Sequence, residues 1–415
     1  MKSIYSFGIF LYVTALRLAS PFNAKAAAWI NGRKESKKRL GSMLPHKGKT
    51  AWVHCASLGE FEQGRPLIES LKKSYPELRI VLTFFSPSGY EIRKNYPQAD
   101  LILYLPADLP GAASRFFDAI RPSFGIIIKY EFWQGYLHEA KKRDIPLYLV
   151  SGIFRKDMLF FKWYGGFFRK GLNAFAHFFV QNSASADLLA KINLNNVSVS
   201  GDTRLDRVLE ASASASSIPL VEQFKGDALL WVCGSSWPAD DALILPLIKK
   251  YKGRFKYLLV PHDIHPEYMD RLIQSHPELS MQRFSQADEK TLAHADVLIL
   301  DTMGMLLSAY RYADWAYVGG GFGKAVHNTM EPAVYGIPVL FGPQIRKFNE
   351  IQGLISAGGG FCISKAEMLD TQIKEWLHNE KSRRKAGEAA RNYVLENAGA
   401  TAQIMQLLDS KMKQA

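Results

Sequence analysis

Residues Ala51–Leu71 read AWVHCASLGEFEQGRPLIESL, and this stretch sets a pattern that the rest of the chain repeats. The apolar run from Ala51 to Cys55 predicts a buried strand, and the small residues Ala56 and Ser57 predict a tight turn after it. Apolar residues then recur at three- and four-residue spacing, which predicts a helix. The buried face of that helix is expected to carry Phe61, Gly64, Leu67, Ile68 and Leu71.

Glu60 lies in the first turn of this predicted helix. Its carboxylate is therefore expected at the rim of a sheet, where open α/β folds bind ligands and a general base is useful. The same residues also fit a capping box, in which Ser57 caps the helix and Glu60 bonds back to the N–H of Ser57. The spacing by itself leaves both roles open.

The composition is that of a globular protein that is large enough for two domains. The chain has 415 residues, of which 47% are hydrophobic and 22% are charged. Lysine and arginine number 52 against 39 acidic residues, a formal net charge of +13. Such an excess indicates a polyanionic partner, which is a nucleic acid, an acidic membrane surface or a phosphorylated substrate.

Cysteine and histidine spacing argues against a disulfide framework and a metal site. Cys55, Cys233 and Cys362 are far apart and lie in or beside apolar runs, which fits core positions in a reducing compartment. The histidines near the predicted strand ends, at 262, 265 and 327, have no metal-ligand spacing. We therefore expect no metal and no other cofactor.

The first 40 residues form an apolar segment followed by a basic one. Ser3–Leu18 is mostly apolar, but Arg17 ends the run after about 14 positions, short of the roughly 20 that a spanning helix needs. It fits a signal peptide, a short membrane anchor or a helix packed on its own domain. We favour membrane association at the cytoplasmic face, because a basic cluster follows at once: Arg33, Lys34, Lys37, Lys38 and Arg39.

From residue 41 to 208, predicted strands and helices alternate, which indicates βαβ units and a parallel sheet. Leu209–Ser217 (LEASASASS) then has no apolar periodicity, so 209–226 is predicted as a hinge. The alternation resumes over 227–415, where the final helical segment, 370–413, is expected either to end the second domain or to cross to the first. Two doubly wound sheets joined by one hinge are expected to face each other across a cleft. The predicted strands are 79–85, 101–105, 124–129, 147–150, 178–181, 197–200, 228–233, 256–260, 296–300, 315–318 and 339–341.

Three strand-to-helix junctions in the second domain have small or polar residues suited to an anion. Gly234, Ser235 and Ser236 precede Pro238 at a helix start, an arrangement that leaves free N–H groups. Met303 and Gly304 follow the third strand, and a glycine-rich turn, 319–324, leads into Asn328 at another helix start. Together they favour a phosphorylated ligand, although the glycine turn lacks both the P-loop ending and the dinucleotide spacing.

Five motifs, in this order, give the chain a family likeness. It resembles the 3-deoxy-D-manno-octulosonic acid (Kdo) transferases of lipopolysaccharide synthesis over nearly its whole length. The motifs are Ala56–Glu60 (ASLGE), Lys129–Trp133 (KYEFW), Gly201–Arg204 (GDTR), Asp301–Gly304 (DTMG) and His327–Pro332 (HNTMEP).

The resemblance implies an α/β fold of the GT-B type, with two Rossmann-like domains and an N-terminal membrane-associating helix. It implies transfer of Kdo from CMP-Kdo to a lipid A precursor (lipid IVA) at the cytoplasmic face of the cell inner membrane. Glu60 matches the family's catalytic base and Glu131 a second family acid. The positions expected to contact CMP or substrate are Ser235, Ser236, Pro261, His262, Met303, Gly304, Met305, Asn328, Thr329, Met330 and Glu331.

The chain departs from the family pattern mainly in the donor domain. Ser235-Ser236-Trp237 stands where Ser-Thr-His is usual, and Met305 replaces a common Glu. Two other classes compete with the Kdo interpretation. One is a different GT-B nucleotide-sugar enzyme, such as a UDP-sugar transferase or an epimerase. The other is a non-enzymatic polyanion-binding protein, but the aromatic residues lie mostly in apolar runs and form no nucleic-acid stacking platform.

Overall fold

The computed structural model describes residues 1–42, 46–323, 325–345 and 349–414. The chain divides into two compact units, one of Met1–Arg207 with Ala398–Ala415 and one of Val208–Asn397.

The first unit alternates strands and helices along the chain. Its strands are β1 Thr50–Cys55, β2 Arg79–Phe84, β3 Leu101–Tyr104, β4 Phe124–Ile128, β5 Leu147–Gly152, β6 Phe175–Val180 and β7 Val197–Val199. Its helices are α1 Lys2–Ala19, α2 Ala24–Gly41, α3 Leu58–Ser74, α4 Pro87–Arg93, α5 Ala112–Ile120, α6 Gln134–Lys142, α7 Gly166–Leu172 and α8 Ser183–Ala190, and α9 Thr203–Ala213 begins in it.

The second unit repeats this alternation. Its strands are β8 Leu230–Ser236, β9 Lys256–Pro261, β10 Met281–Arg283, β11 Val297–Ile299, β12 Trp315–Val318, β13 Val339–Phe341 and β14 Gly360–Cys362. Its helices are α10 Pro219–Lys225, α11 Pro238–Lys250, α12 Pro266–Ser275, α13 Glu289–Leu292, α14 Leu306–Tyr310, α15 Met330–Ala333, α16 Asn349–Ser356, α17 Ala366–His378 and α18 Glu380–Asn397.

Each unit has one parallel sheet, which in the described part of the chain contains seven strands. The strand orders are β3-β2-β1-β4-β5-β6-β7 and β10-β11-β9-β8-β12-β13-β14. The chain order therefore reverses between β1 and β4 in the first sheet and between β8 and β12 in the second. In doubly wound folds this reversal opens a crevice at the carboxyl ends of the two strands, and ligands bind there.

The β1–α3 segment folds as its pattern predicts. All six residues of β1 are buried, and Trp52 packs on one face of the sheet while Val53 and Cys55 pack on the other. Helix α3 buries the predicted face, including Phe61, Leu67 and Leu71. A Cβ on Gly64 would meet Ile128 at 3.2 Å and Cys55 at 3.3 Å, so the glycine lets α3 lie close to β1 and β4.

The segment predicted as a hinge, 209–226, contains more regular structure than expected. Helix α9 continues to Ala213, and α10 buries Val221 and Phe224 in the core of the second unit. This part of the helix was not predicted, because alternating alanine and serine give no clear apolar periodicity, although alanine is a strong helix former.

The C-terminal helix, α19 Ala400–Gln414, packs on the first unit, which is one of the two placements that the sequence left open for the final segment. Ile404 and Leu408 are buried in the apolar cluster that α3 and β1 form. The carboxylate of Asp206 also accepts the backbone N–H groups of Gly399 and Thr401. Apolar burial and two charge-assisted hydrogen bonds therefore attach the end of the chain to the first unit.

Helix α1 packs on the first unit through one side only. Val13 is buried and the Tyr5 hydroxyl donates to Asp108 at 2.7 Å, whereas Ile4, Phe7 and Leu18 are 60–72% exposed. Over the described residues, no single helix has the length and apolar character of a membrane span. The bent pair α1 and α2, at 115° to each other, meets those criteria only when the two are taken together.

Two residues of the predicted basic cluster attach α2 to the sheet instead of facing solvent. The Arg33 guanidinium lies 3.6 Å from the Trp29 ring and donates to the Phe85 carbonyl at 3.0 Å, and burial lowers its pKa to about 9. Arg39 donates to the Ile102 carbonyl at 3.0 Å. The exposed cations of the cluster are Lys34, Lys37 and Lys38.

Candidate functional site

Glu60 lies directly after β1, in the first turn of α3, and is partly exposed. The Ser57 hydroxyl donates a hydrogen bond to its Oε2 oxygen. Ser57 occupies the N-cap position but makes no side-chain cap bond, so the capping box is not formed. The bond restricts rotation of the Glu60 carboxylate, and a general base has to be positioned in this way.

Glu131 follows β4, the strand that pairs with β1, so both acids lie at the same switch point. Its Oε2 oxygen accepts from the indole N–H of Trp133 and lies 3.4 Å from His54 Nε2. Lys129, two residues earlier, has φ of 63°, a left-handed conformation that costs a non-glycine residue about 1 kcal/mol. Such strain is concentrated at functional sites.

Basic and aromatic side chains surround the two acids. The Tyr130 ring lies 5.7 Å from the Arg155 guanidinium and 5.8 Å from the Lys129 ammonium. Burial raises the pKa of Tyr130, and the charge of the neighbouring Glu60 also raises it. Arg65, on α3, is paired with Glu69 at 2.8 Å. Arg155 also has a carboxylate neighbour, Asp157, at 3.6 Å.

A buried carboxylate connects α3 to the start of α9. Asp202 accepts from Gln63 Nε2 at 2.9 Å, from Gln181 Nε2 at 3.0 Å and from the Arg204 side chain. Burial alone would raise the pKa of Asp202, but the Arg204 guanidinium and these donors hold it below its ordinary value. The Gly-Asp-Thr-Arg motif thus supports the helix that carries Glu60.

In the second unit, four of the predicted donor residues line one cavity of about 350 Å³. It lies at the carboxyl ends of β8 and β12, the switch point of that sheet. Ser235, with a left-handed φ of 54°, is one of its walls, and Gly304, Asn328 and Glu331 are others. The Asn328 amide donates to Glu331 at 3.0 Å, and its oxygen accepts the Met330 N–H, so this side chain also caps α15.

The other predicted donor residues do not line this cavity. Ser236 and Pro261 line a second cavity of about 330 Å³, together with Trp237 and Arg271. Thr329 and Met330 are buried, Met305 is half-buried against the core, and Met303 is 80% exposed. Only part of each predicted loop therefore reaches the cavity.

An aromatic stack separates the two cavities. The His262 ring lies 4.3 Å from Trp237 and 4.6 Å from His327, and the Trp237 indole donates to His327 Nε2 at 3.0 Å. Burial, and secondarily the neighbouring His262, lowers the pKa of His327. Trp237 and His327 were not among the predicted site residues. The substitution of Trp237 for a family histidine was the sequence signal that could have identified them.

Some backbone N–H groups at the strand ends of the second unit, which the sequence predicted to be free for an anion, already have a protein acceptor. The buried Asp240 carboxylate accepts the N–H groups of Trp237 at 3.0 Å and Gly320 at 2.9 Å. A Cβ on Gly319 would lie 2.2 Å from the Ser235 carbonyl, so the glycine-rich turn is needed for close packing between β8 and β12.

Lys324, the last residue of that motif, lies outside the described residues. Within those residues, no three His, Cys, Asp or Glu side chains are grouped as a metal site.

The amino-acid sequence is similar to known transferases over most of its length. Residues 34–207 match the family model of the 3-deoxy-D-manno-octulosonic-acid transferase (kdotransferase). A 3-deoxy-D-manno-octulosonic acid transferase of Haemophilus influenzae is 27% identical over 376 residues, which cover 86% of each chain. One of Chlamydophila psittaci is 28% identical over 336 residues, 79% of this chain and 77% of that protein.

Solved structures extend the likeness at the level of the fold. A UDP-GlcNAc 2-epimerase from Neisseria meningitidis bound to UDP-GlcNAc has a TM-score of 0.60 and 16% identity, covering 88% of this chain and 100% of that chain. The predicted α/β class, with two Rossmann-like domains of the GT-B type, is confirmed. The chain is thus similar to the Kdo transferases, through the family model over residues 34–207 and through relatives of 27–28% identity that extend along most of its length.

Proposed function

We propose that the chain transfers Kdo from CMP-Kdo to a lipid A precursor, lipid IVA, in lipopolysaccharide core biosynthesis. The observation that carries this proposal is the position of Glu60 and Glu131 after two adjacent strands, at the switch point of the first sheet. That edge is where open parallel sheets bind ligands. The relatives that share this chain's length are named as Kdo transferases, which supports the choice of sugar.

In the proposed reaction, an acceptor hydroxyl attacks the anomeric carbon of Kdo as the bond from that carbon to the CMP phosphate breaks. The hydroxyl proton passes to Glu60, and CMP leaves with the bonding electron pair. A single displacement inverts the configuration at the anomeric centre. A positioned carboxylate base contributes a rate factor of about 10² to 10⁴, and the hydrogen bond from Ser57 orients Glu60 for this role.

The second unit would bind CMP-Kdo at the cavity beside Ser235, Gly304 and Asn328. Gly304 has φ of 82°, and its lack of a side chain allows a phosphate to approach the backbone before α14. We propose that these polar groups stabilise the departing phosphate without a metal ion. Transfer that continues unchanged in excess EDTA is the expected result, and activity restored only by Mg²⁺ would contradict it.

We also propose that the chain works at the cytoplasmic face of the inner membrane. Anionic lipid would attract Lys34, Lys37 and Lys38, which remain exposed beside the apolar helix α1. A lipid acceptor is itself phosphorylated and membrane-bound, so the excess of 13 positive charges suits both the substrate and its surroundings. No nucleic acid is required as a partner.

The experiment is incubation with CMP-Kdo, generated in situ, and lipid IVA, comparing the wild type with Glu60→Ala and Glu62→Ala. Glu62 is a matched control because it lies on the same helix and pairs with Arg93 at 2.8 Å. We expect Glu60→Ala to lose a factor of about 10² to 10⁴ in turnover, with thermal stabilisation by CMP retained in both variants. Unchanged turnover would remove Glu60 as the base.

The same preparations separate the competing functions. Stabilisation by UDP and not by CMP would favour another nucleotide-sugar enzyme. Steeply salt-dependent binding to duplex DNA, with no effect of CMP, would favour a polyanion-binding protein.

A further inference from the structure

His54 is a fully buried histidine on β1 that contacts the candidate acid Glu131. Its Nε2 atom lies 3.4 Å from Glu131 Oε2, and its Nδ1 atom lies 2.9 Å from the Thr83 hydroxyl. The side chain of His54 has no exposed surface, whereas that of Glu131 is 17% exposed. The histidine therefore cannot meet a substrate, but the acid beside it can.

The hydrogen bonds around Thr83 determine which ring nitrogen carries the proton. The Trp52 indole N–H, which can only donate, reaches Thr83 Oγ1 at 2.8 Å. The hydroxyl proton of Thr83 is then directed to His54 Nδ1 at 2.9 Å in preference to the Val53 carbonyl at 3.3 Å. An unprotonated Nδ1 requires the proton of the neutral ring to be on Nε2, facing Glu131.

The opposite tautomer is disfavoured by the same contacts. A proton on Nδ1 could be accepted by the Thr83 carbonyl at 3.2 Å. The neutral ring would then present the lone pair of Nε2 to the Glu131 carboxylate, so two acceptors would face each other. The hydrogen bonds therefore run in one direction: Trp52 donates to Thr83, Thr83 donates to His54, and His54 donates to Glu131.

Two donors converge on one oxygen of Glu131. Both His54 Nε2 and the Trp133 indole reach Oε2. Because two donors from different directions restrict rotation of the carboxylate, its second oxygen, Oε1, is left as the acceptor for a hydroxyl of the substrate. The Trp133 ring stacks on Phe85 with the ring centroids 4.9 Å apart, and this packing holds the second donor in place.

We propose that His54 is a positioning residue, whose Nε2–H orients Glu131 toward the acceptor sugar. The inference rests on the proposed function for the identity of the substrate, but its geometry is independent of it. His54 acts through Glu131, so its loss should reduce turnover and leave binding of the nucleotide donor unchanged. Residues that merely fill the core would not show this separation.

The first test compares His54→Leu, which removes the donor, with His54→Gln, whose amide nitrogen can occupy the place of Nε2. We expect kcat to fall about tenfold in the leucine variant, as for loss of one hydrogen bond to a charged group, and to be partly restored in the glutamine variant. KM for CMP-Kdo should change less than twofold. Equal turnover in the wild type and His54→Leu would overturn the proposal.

Thr83→Val provides a second variant in case His54→Leu does not fold. Valine matches threonine in shape but lacks the hydroxyl that selects the tautomer, and Thr83 does not contact Glu131. We expect a several-fold loss of kcat in Thr83→Val and none in Thr50→Val, a control at another buried threonine, on β1 itself. Equal kcat values in these two variants would contradict a role for the Thr83 hydroxyl.

The closing experiment does not depend on turnover. In ¹⁵N-histidine NMR spectra at pH 8, the signals of His54 are identified as those missing from His54→Gln. We expect a bare Nδ1 and a protonated Nε2 in the wild type, and a change of this pattern in Thr83→Val. A wild-type chain that transferred no Kdo would refute the proposed function and still leave these spectra to decide the orientation. An Nδ1–H tautomer in the wild type, which has no proton on Nε2, would overturn the proposal.

Discussion

The Ser57 hydroxyl donates a hydrogen bond to the carboxylate of Glu60 and accepts none from the backbone N–H groups of the first turn of α3. The Ser-x-x-Glu spacing allowed two roles, a helix cap and an acid held at the edge of the sheet. In the cap, Ser57 would have satisfied a backbone N–H of the first turn. The observed bond instead joins the two side chains, so the turn after β1 orients an acid.

Ser57→Ala should therefore impair turnover more than stability. The substitution removes the hydrogen bond that orients Glu60 and should lower kcat about tenfold, which corresponds to about 1.4 kcal/mol of transition-state stabilisation. Because no cap bond is lost, the free energy of unfolding should change by less than about 0.5 kcal/mol. Transfer assays and urea titration measure both quantities. A large loss of stability with full turnover would return Ser57 to the role of a cap.

Asp202→Asn should destabilise the protein in a pH-dependent way. The Asp202 pKa is held below its ordinary value in the folded state, so its ionisation contributes stability that is present above about pH 4 and is lost as the pH falls through the folded pKa. Breaking the buried pair with Arg204 should cost about 3 kcal/mol at pH 7. The difference from wild type in urea titrations should shrink toward pH 3.

The control for this prediction is Asp187→Asn. Asp187 is an exposed carboxylate on α8 of the same unit. Its substitution should change the free energy of unfolding by less than about 0.5 kcal/mol. A loss in Asp202→Asn that stayed constant from pH 7 to pH 3 would show that packing, and not the charge, accounts for the effect.

The His327 imidazole should make the protein less stable in mild acid. Its pKa is lowered in the folded state by burial and by His262, so the unfolded chain binds a proton more readily below about pH 6.5. Stability therefore falls as the pH drops from 6.5 through the folded pKa. In His327→Gln this loss is absent, and the Tm difference between wild type and variant should move in favour of the variant from pH 7 to pH 5.

His138→Gln, at an exposed histidine on α6, is the control for that measurement. It should follow the wild type at each pH. Parallel Tm curves for the wild type and His327→Gln would mean that His327 does not resist protonation in the folded protein.

The sequence predicted the parts of the fold that depend on neighbouring residues. The β1–α3 turn was identified because an apolar run and a helical repeat follow each other within 21 residues. Strands β10 and β14 were not predicted, because β10 (MQR) contains two polar residues and β14 (GFC) begins with a glycine, so neither forms an apolar run. Helix α9 was missed for the compositional reason given above, and the attachment of α19 depends on packing against distant residues.

The candidate site could likewise be predicted only in part from the sequence. Glu60 and Glu131 could be named from motifs, but their proximity depends on the pairing of β1 with β4. The contact of His54 with Glu131 joins residues 77 positions apart, and that of Trp237 with His327 joins residues 90 positions apart. No local pattern predicts such contacts, because they are set by strand order in the sheet.

Ile404→Ala should destabilise the first unit if α19 belongs to its core. Ile404 is fully buried against the cluster that contains Phe61 and Leu67. Replacing a buried isoleucine with alanine costs about 2–5 kcal/mol, depending on how far the cavity collapses. Leu395→Ala, at a residue of α18 that is 48% exposed, is the control and should cost much less. Equal effects in urea titrations would contradict the packing described for α19.

The outward face of α1 should bind anionic lipid vesicles. Phe7 and Phe10 are 60% and 52% exposed, whereas an apolar side chain on a soluble helix is normally buried. Transfer of each ring into the interface contributes about 1.4 kcal/mol, so Phe7→Ser with Phe10→Ser should weaken binding about 100-fold.

The measurement is co-sedimentation with phosphatidylglycerol-containing vesicles, with pure phosphatidylcholine vesicles for comparison. Ile92→Ser is the matched control, since Ile92 is 59% exposed on α4 of the same unit. It should bind as the wild type does. Added salt should weaken binding to the anionic vesicles, because Lys34 and its neighbours are exposed to the solvent. Unchanged sedimentation of the double variant would contradict membrane association through α1.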